Sequence, residues 1–289
     1  MRRKERMYQW RKGIASWTCG NRLYLSVPFT WLLEEAQATA DAHKGPVVCG
    51  GPAIKLMGPL SGAKAHDTAD FDVLSMHNPC ATFTTRGCPN KCAFCAVPKI
   101  EGAFVELETW KHAPVLCDNN LLECSRSHFS KVIESLKPFP ACDFNQGLDA
   151  RRFTQWHAET IAHLRHPKVR FAFDHANEES VVANAVETAR KAGLRDFGIY
   201  VLFGFKDTLE DALYRLEKVR EWGILPNAMR YQPLDAMKKN AYVEAGWEER
   251  DLQRVHRYYN KLNWLGHIPF DEYDIPDEPL FCARHGVDV

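Results

Sequence analysis

The sequence predicts an α/β protein built on a parallel sheet, and three observations carry that expectation. Six short apolar runs, at 82–85, 115–117, 142–144, 169–173, 197–203 and 228–231, lack the polar alternation of a half-exposed strand, as befits parallel strands buried on both faces. Stretches of helical periodicity lie between them, so each strand hands over to a crossover helix. The composition is that of a folded chain, with 289 residues, 45% hydrophobic and 26% charged, long enough to bury a core without disulfide staples. Six strands are too few to close a β/α barrel, which leaves a partial, splayed barrel or an open sheet.

The elements follow in chain order. Residues 1–12 form a basic arm, with Arg2, Arg3, Lys4, Arg6, Arg11 and Lys12 against Glu5 alone and with Tyr8 and Trp10 interleaved. Such an arm could touch nucleic acid. No apolar run follows it, so it is not read as a secretory leader. The segment 1–79, arm included, reads as a small α/β extension, with a helix entry at 29–36 and a strand followed by a glycine turn at 45–52.

The core spans 80–235. Ser125 caps a helix carrying Phe129, Val132, Ile133 and Leu136, and Thr154 caps one carrying Ile161 and Leu164. Asn177 is expected to cap a third helix that stops at Gly193. A fourth starts after Asp207 and Thr208 and stops near Gly223. The tail, 236–289, reads as a helical segment at 248–265 followed by an acidic, proline-rich surface wrap containing Asp271, Glu272, Asp274, Asp277 and Glu278.

Charge and cysteine usage narrow the class. Lysine plus arginine and aspartate plus glutamate number 37 each, which argues against a surface coated with phosphate-binding lysines. No apolar stretch approaches the roughly 20 residues of a membrane span. The expected location is therefore cytoplasmic, with no membrane partner. Ten cysteines in such a chain point to metal rather than disulfides.

Three of those cysteines form the most informative motif. Thr85-Arg86-Gly87-Cys88-Pro89-Asn90-Lys91-Cys92-Ala93-Phe94-Cys95 directly follows the first strand, with spacing C-x3-C-x2-C. Three thiolates leave one metal corner without a protein ligand, which fits a catalytic zinc or the open iron of a four-iron cluster. Arg86 and Lys91 would favour the thiolate forms.

The motif resembles that of the radical S-adenosylmethionine superfamily, in which the residue before the last cysteine is aromatic, as Phe94 is here. The resemblance covers about 80–235. The wording of 86–92 is similar to methylthiotransferases acting on tRNA and ribosomal protein. Over 87–273 the chain is more similar still to stand-alone radical S-adenosylmethionine proteins, some of them phage-encoded, which share Asp118-Asn119-Asn120, Asp143-Phe144-Asn145-Gln146-Gly147-Leu148-Asp149 and Phe171-Ala172-Phe173-Asp174.

The resemblance implies a partial (β/α)6, TIM-like barrel and a 4Fe–4S cluster held by Cys88, Cys92 and Cys95. It implies S-adenosylmethionine as cofactor, an external flavodoxin- or ferredoxin-like electron donor, and a 5′-deoxyadenosyl radical that abstracts a substrate hydrogen. The backbone near Phe94 would contact adenine, and Asp118-Asn119-Asn120 stands where the methionine amine is held, with Asp118 the residue expected to hold it. Asn145, Gln146, Asp149 and Asp174 would face the ribose, Arg151 a carboxylate, and Gly204 would allow close approach of adenine. Cys117, Cys142, Tyr200 and Tyr231 are candidates by residue type for quenching a substrate radical. The expected substrate is a nucleobase in nucleic acid, a modified thymine in phage DNA being one candidate. A small molecule or peptide is the alternative substrate, and a non-catalytic iron–sulfur or zinc module is the alternative of another class.

Overall fold

The computed structural model describes residues 7–65 and 72–275. Arg2, Arg3, Lys4 and Arg6 of the basic arm, and Asp277 and Glu278 of the acidic end, lie outside the described residues.

The N-terminal extension is a four-stranded sheet. Strand β1 (Ala15–Cys19) turns back antiparallel onto β2 (Arg22–Ser26), and β3 (Val47–Gly50) and β4 (Lys64–Ala65) add in parallel. Helix α1 (Leu33–Asp41) enters through a 3-10 turn at Thr30–Leu32, and α2 (Pro52–Met57) follows the glycine turn expected after β3. Gly51 has φ +98°, and a Cβ there would lie 2.7 Å from the Val27 carbonyl oxygen, so only glycine fits. Leu23, Leu25, Val27, Ala36, Cys49 and Ile54 form a separate small core under this sheet.

After α3 (Val73–His77) the main sheet begins with β5 (Ala81–Thr82). It continues through β8 (Val115–Leu116), β9 (Cys142–Phe144), β10 (Pro167–Ala172), β11 (Asp196–Phe203) and β12 (Pro226–Arg230), each pairing in parallel with the next. The strand order is sequential and the sheet is open. With no reversal of order, right-handed crossovers place every connecting helix on the same face. Those helices are α5 (Arg126–Leu136), α6 (Gln155–Ala162), α7 (Glu179–Lys191) and α8 (Leu209–Glu221). Their apolar stripes meet Phe144, Val169, Phe171, Ile199, Val201 and Phe203 in one continuous core. Ser125, Thr154 and Thr208 accept the capping N–H bonds of α5, α6 and α8, as their sequence positions predict.

Two expectations are corrected. The run 82–85 is not one strand. It divides into β5 and a short β6 (Thr85–Arg86), and β6 pairs antiparallel with β7 (Val105–Glu106). The Asp118 carboxylate takes the backbone N–H of both Thr84 and Thr85, which withdraws them from the parallel ladder. Asn177 does not cap α7. It lies inside a 3-10 turn, Ala176–Glu178, closed by reciprocal His175 and Glu178 bonds, and α7 starts beyond it.

The opposite face of the sheet carries a buried polar centre beside a small apolar cluster. Asp143 and Arg170, both buried, form a bidentate pair at 2.7 and 2.6 Å, with Tyr200 beside them. The described end of the basic arm docks here. Met7 is buried against Ala81, Val115, Cys117 and Ala141, and its carbonyl accepts from Asn78 at 2.8 Å. The half-exposed Tyr8 side chain lies near Asp143, and burial followed by that carboxylate pushes its pKa up.

The tail holds α9 (Glu249–Tyr259) and α10 (Leu262–Leu265), broken at Asn260. The Asn260 amide exchanges bonds with the N–H and C=O of Ala228, at 3.1 and 2.9 Å, and so satisfies the outer edge of β12. Among the described residues no helix is long and apolar enough to cross a membrane.

Candidate functional site

In a parallel sheet the loops leaving the C-terminal strand ends gather along one edge, where such folds keep their sites. The cysteine loop is one of these. It runs from β6 to α4 (Val97–Ile100) and holds Cys88, Cys92 and Cys95 as free thiols, Cys92 exposed and the others partly covered. Gly87 opens it with φ +73°, and a Cβ there would lie 2.3 Å from the Ala103 carbonyl oxygen. The loop is tightened by the Cys95 N–H donating to the Cys92 carbonyl at 3.0 Å.

Glu101 braces the loop from below. Its carboxylate accepts from the Arg86 guanidinium at 2.7 Å, from the Gly87 N–H at 2.8 Å and from the Asn119 amide at 2.7 Å. Arg86 is therefore engaged by Glu101 and by the Phe83 ring, 3.8 Å away. The cation felt by the Cys92 sulfur is instead Arg151. Burial pushes the Cys92 and Cys95 thiols up, and neighbouring cysteine sulfurs add to the rise at both. The mutual influence of these thiols reflects their proximity.

Asn120 ties this loop to the end of β8. Its amide nitrogen donates to the Cys88 sulfur at 3.7 Å and to Asp149 at 3.4 Å. Asp149 also accepts from Asn90 at 3.3 Å and from the Arg151 fork at 2.8 and 2.7 Å. Burial works to raise the Asp149 pKa, but the bonds and charge of Arg151 outweigh it and hold the carboxyl below its ordinary value.

Asp118 lies just before, with one carboxylate oxygen receiving the N–H and hydroxyl groups of Thr84 and Thr85. Its other oxygen is buried without a partner, as is the Asn120 side-chain oxygen. Burial raises the Asp118 pKa.

The remaining expected residues distribute around this network. Asp174 accepts the Leu202 N–H at 3.1 Å, and its charge reaches both Cys92 and Cys95. Asn145 accepts the Tyr200 hydroxyl on its carbonyl at 2.7 Å and its side chain lies near the Cys117 thiol, while Gln146 is exposed. Phe94 meets the edge of Phe205 at 5.7 Å. Gly204 has φ +75°, and a Cβ there would lie 2.9 Å from the Leu252 side chain, so the space left by its missing side chain is taken by α9. Burial pushes the Cys117, Cys124 and Cys142 thiols to about 12, which leaves them as small apolar fillers.

Sequence reasoning missed Glu101, Asn90 and Phe205. Asn90 sits within the cysteine motif and could have been singled out there. Glu101 carries no spacing signal, because its partners come from two separate points of the chain, Arg86-Gly87 and Asn119.

Among the described residues no group of three or more His, Cys, Asp or Glu side chains forms a site for a single metal ion. The donor set, three thiols with an amide aimed at one sulfur and two orphaned buried acceptors alongside, suits a cluster with a polar ligand beside it. Neither a scan against protein-family models nor a comparison with curated proteins returns a match.

Proposed function

We propose that this chain is a radical S-adenosylmethionine enzyme acting on a nucleobase in nucleic acid. In this reading the six sequential strands with all helices on one face are a partial (β/α)6 barrel, and the opposite face is the lumen. The observation that carries the proposal is the loop of Cys88, Cys92 and Cys95 at the C-terminal strand edge, with Asn120 donating to the Cys88 sulfur. When bound, the cluster and S-adenosylmethionine would supply a one-electron cleavage yielding a 5′-deoxyadenosyl radical able to abstract hydrogen.

The protein's part is placement and exclusion of water. Cys88, Cys92 and Cys95 would each hold one iron, and the Asn120 amide would stabilise electron density on the Cys88 sulfur, which raises the ease of reduction. The orphaned oxygens of Asp118 and Asn120 are acceptors without donors, and a methionyl ammonium supplies N–H donors of the kind they lack. Arg151, held by Asp149, is the cation available to a carboxylate on the same rim. Asp174 would accept from a ribose hydroxyl, and the Phe94 ring and backbone would flank adenine. Met7 and Tyr8 would close the far end of the lumen, which keeps bulk water from that side.

Anaerobic reconstitution tests the reading. Iron and sulfide of about four each per chain, and an electron paramagnetic resonance signal of the reduced cluster that changes on adding S-adenosylmethionine, are the expected results. Zinc without sulfide would contradict them and support a structural metal module.

A further inference from the structure

The loops at the C-terminal strand ends carry two sets of side chains, most of which the proposed chemistry leaves unused. The first is aromatic. Phe94 meets Phe205 at 5.7 Å, Phe205 meets Tyr231 at 4.6 Å and Tyr231 meets Tyr242 at 5.3 Å, so rings link the loops after β6, β11 and β12. The N-terminal extension adds a second group. Phe29 and Trp31 are stacked 4.5 Å apart and 6° from parallel, with Phe29 49% exposed. Thr30 between them is buried, and its hydroxyl donates to the Ala236 carbonyl at 2.5 Å, which fixes the pair against the loop after β12. That loop is pinched by two bonds between Gln232 and Asn240, at 2.9 and 2.8 Å, which present Lys238 and Lys239 at its tip.

The second set is basic. Lys91, Lys99, Lys206, Lys238 and Lys239 lie on the same loops or on α4, all exposed. Among the described residues none of the five ammonium groups forms an ion pair; the Lys206 side chain lies over the Phe205 ring at 5.5 Å, while its backbone N–H donates to Glu244 at 3.1 Å and its charge reaches that carboxylate. In a chain of zero net charge, these cations lie on the loops that carry the rings, where they outnumber the nearby carboxylates of Asp235 and Glu244 beside Tyr231.

We infer that this rim is a docking surface for single-stranded nucleic acid. Bases stack on the rings and phosphates lie along the lysines, an arrangement that tolerates any sequence because every base has a π-face. A duplex hides its base faces. An acidic peptide would satisfy the lysines and leave the ring faces unused. Lysine rather than arginine on the rim gives point-charge contact with phosphate and no bidentate reading of base edges. The inference rests on the function proposed above for its chemistry and not for its binding, which needs no cluster.

Fluorescence anisotropy of a labelled 16-nucleotide DNA strand tests it, with matched duplex and polyglutamate as competitors. The variants are the triple charge reversal K206E/K238E/K239E and the double F29A/W31A, their folding checked by circular dichroism. Wild type is expected to bind the strand with or without iron, and neither competitor to displace it at equal mass. The charge reversal should weaken binding at least about tenfold and lower the slope of log affinity against log salt by about two. Loss of the stacked pair should weaken binding by about tenfold. No binding by wild type, unchanged affinity in both variants, or displacement by duplex or polyglutamate would overturn the inference. Strand binding without cleavage of S-adenosylmethionine would leave it standing and remove the radical reading. Cleavage without strand binding would do the reverse.

Discussion

Asn120 donates its amide to the Cys88 sulfur at 3.7 Å while its own side-chain oxygen stays buried without a partner. A buried orphan acceptor costs about 1–3 kcal/mol unless something supplies a donor. The same side chain thus touches a proposed cluster ligand and exposes an unmet need next to it.

Replacing Asn120 by Ala should therefore act on two quantities at once. The reduction potential of a reconstituted cluster should fall, because a hydrogen bond to sulfur is lost. Binding of S-adenosylmethionine should weaken by about tenfold, as expected for one lost bond to a charged donor. Electrochemistry and equilibrium binding read the two separately. An unchanged potential with unchanged binding would remove Asn120 from the site.

Gly87 and Gly102 make an internal comparison. Both have positive φ, at +73° and +77°, but a Cβ at 87 would strike the Ala103 carbonyl oxygen at 2.3 Å, whereas nothing lies within 4 Å at 102. Gly102→Ala should cost about 1 kcal/mol from backbone strain alone. Gly87→Ala should cost about 3 kcal/mol or displace the loop, and iron retention after reconstitution should drop sharply. Urea denaturation and iron analysis check both variants.

The Asp149–Arg151 link has a pH signature. The folded-state pKa of Asp149 lies below its ordinary value, with Arg151 overcoming the effect of burial. The folded protein therefore binds fewer protons at this site than the unfolded chain. Its contribution to stability is complete above the unfolded carboxylate pKa of about 3.9 and is lost as pH falls through the lower folded value. Asp149→Asn cannot titrate and lacks this dependence. The stability gap between wild type and the variant, measured on iron-free protein, should be constant from about pH 7 to 5 and close as pH drops below about 4. A gap independent of pH would contradict the assignment.

Much of the architecture was legible because the strands are short and the positions that face the helices are apolar, although the other face carries Asp143, Arg170 and Tyr200. The runs at 142–144 and 197–203 map onto β9 and β11 almost residue for residue. Helix starts were legible where a hydroxyl side chain stood at the cap, as at Ser125, Thr154 and Thr208. What escaped reading depends on partners distant in sequence. Nothing local in 82–85 announces that Asp118, more than thirty positions on, will take the N–H groups of Thr84 and Thr85. The β1–β2 hairpin was missed although Gly20 marks its turn. The cysteine motif was plain, but the Glu101 brace was not, since Arg86, Gly87 and Asn119 converge on it only in three dimensions. The basic arm read as free to meet nucleic acid, whereas its described end is engaged at the sheet through Met7 and Tyr8.

The most direct test of the central claim is product formation. Protein reconstituted anaerobically with iron and sulfide is given S-adenosylmethionine and dithionite, and 5′-deoxyadenosine is quantified against a variant carrying Cys88→Ala, Cys92→Ala and Cys95→Ala. The account predicts 5′-deoxyadenosine from wild type and none above background from the variant. Equal product from both, or none from wild type holding an intact cluster and supplied with single-stranded DNA, would contradict it.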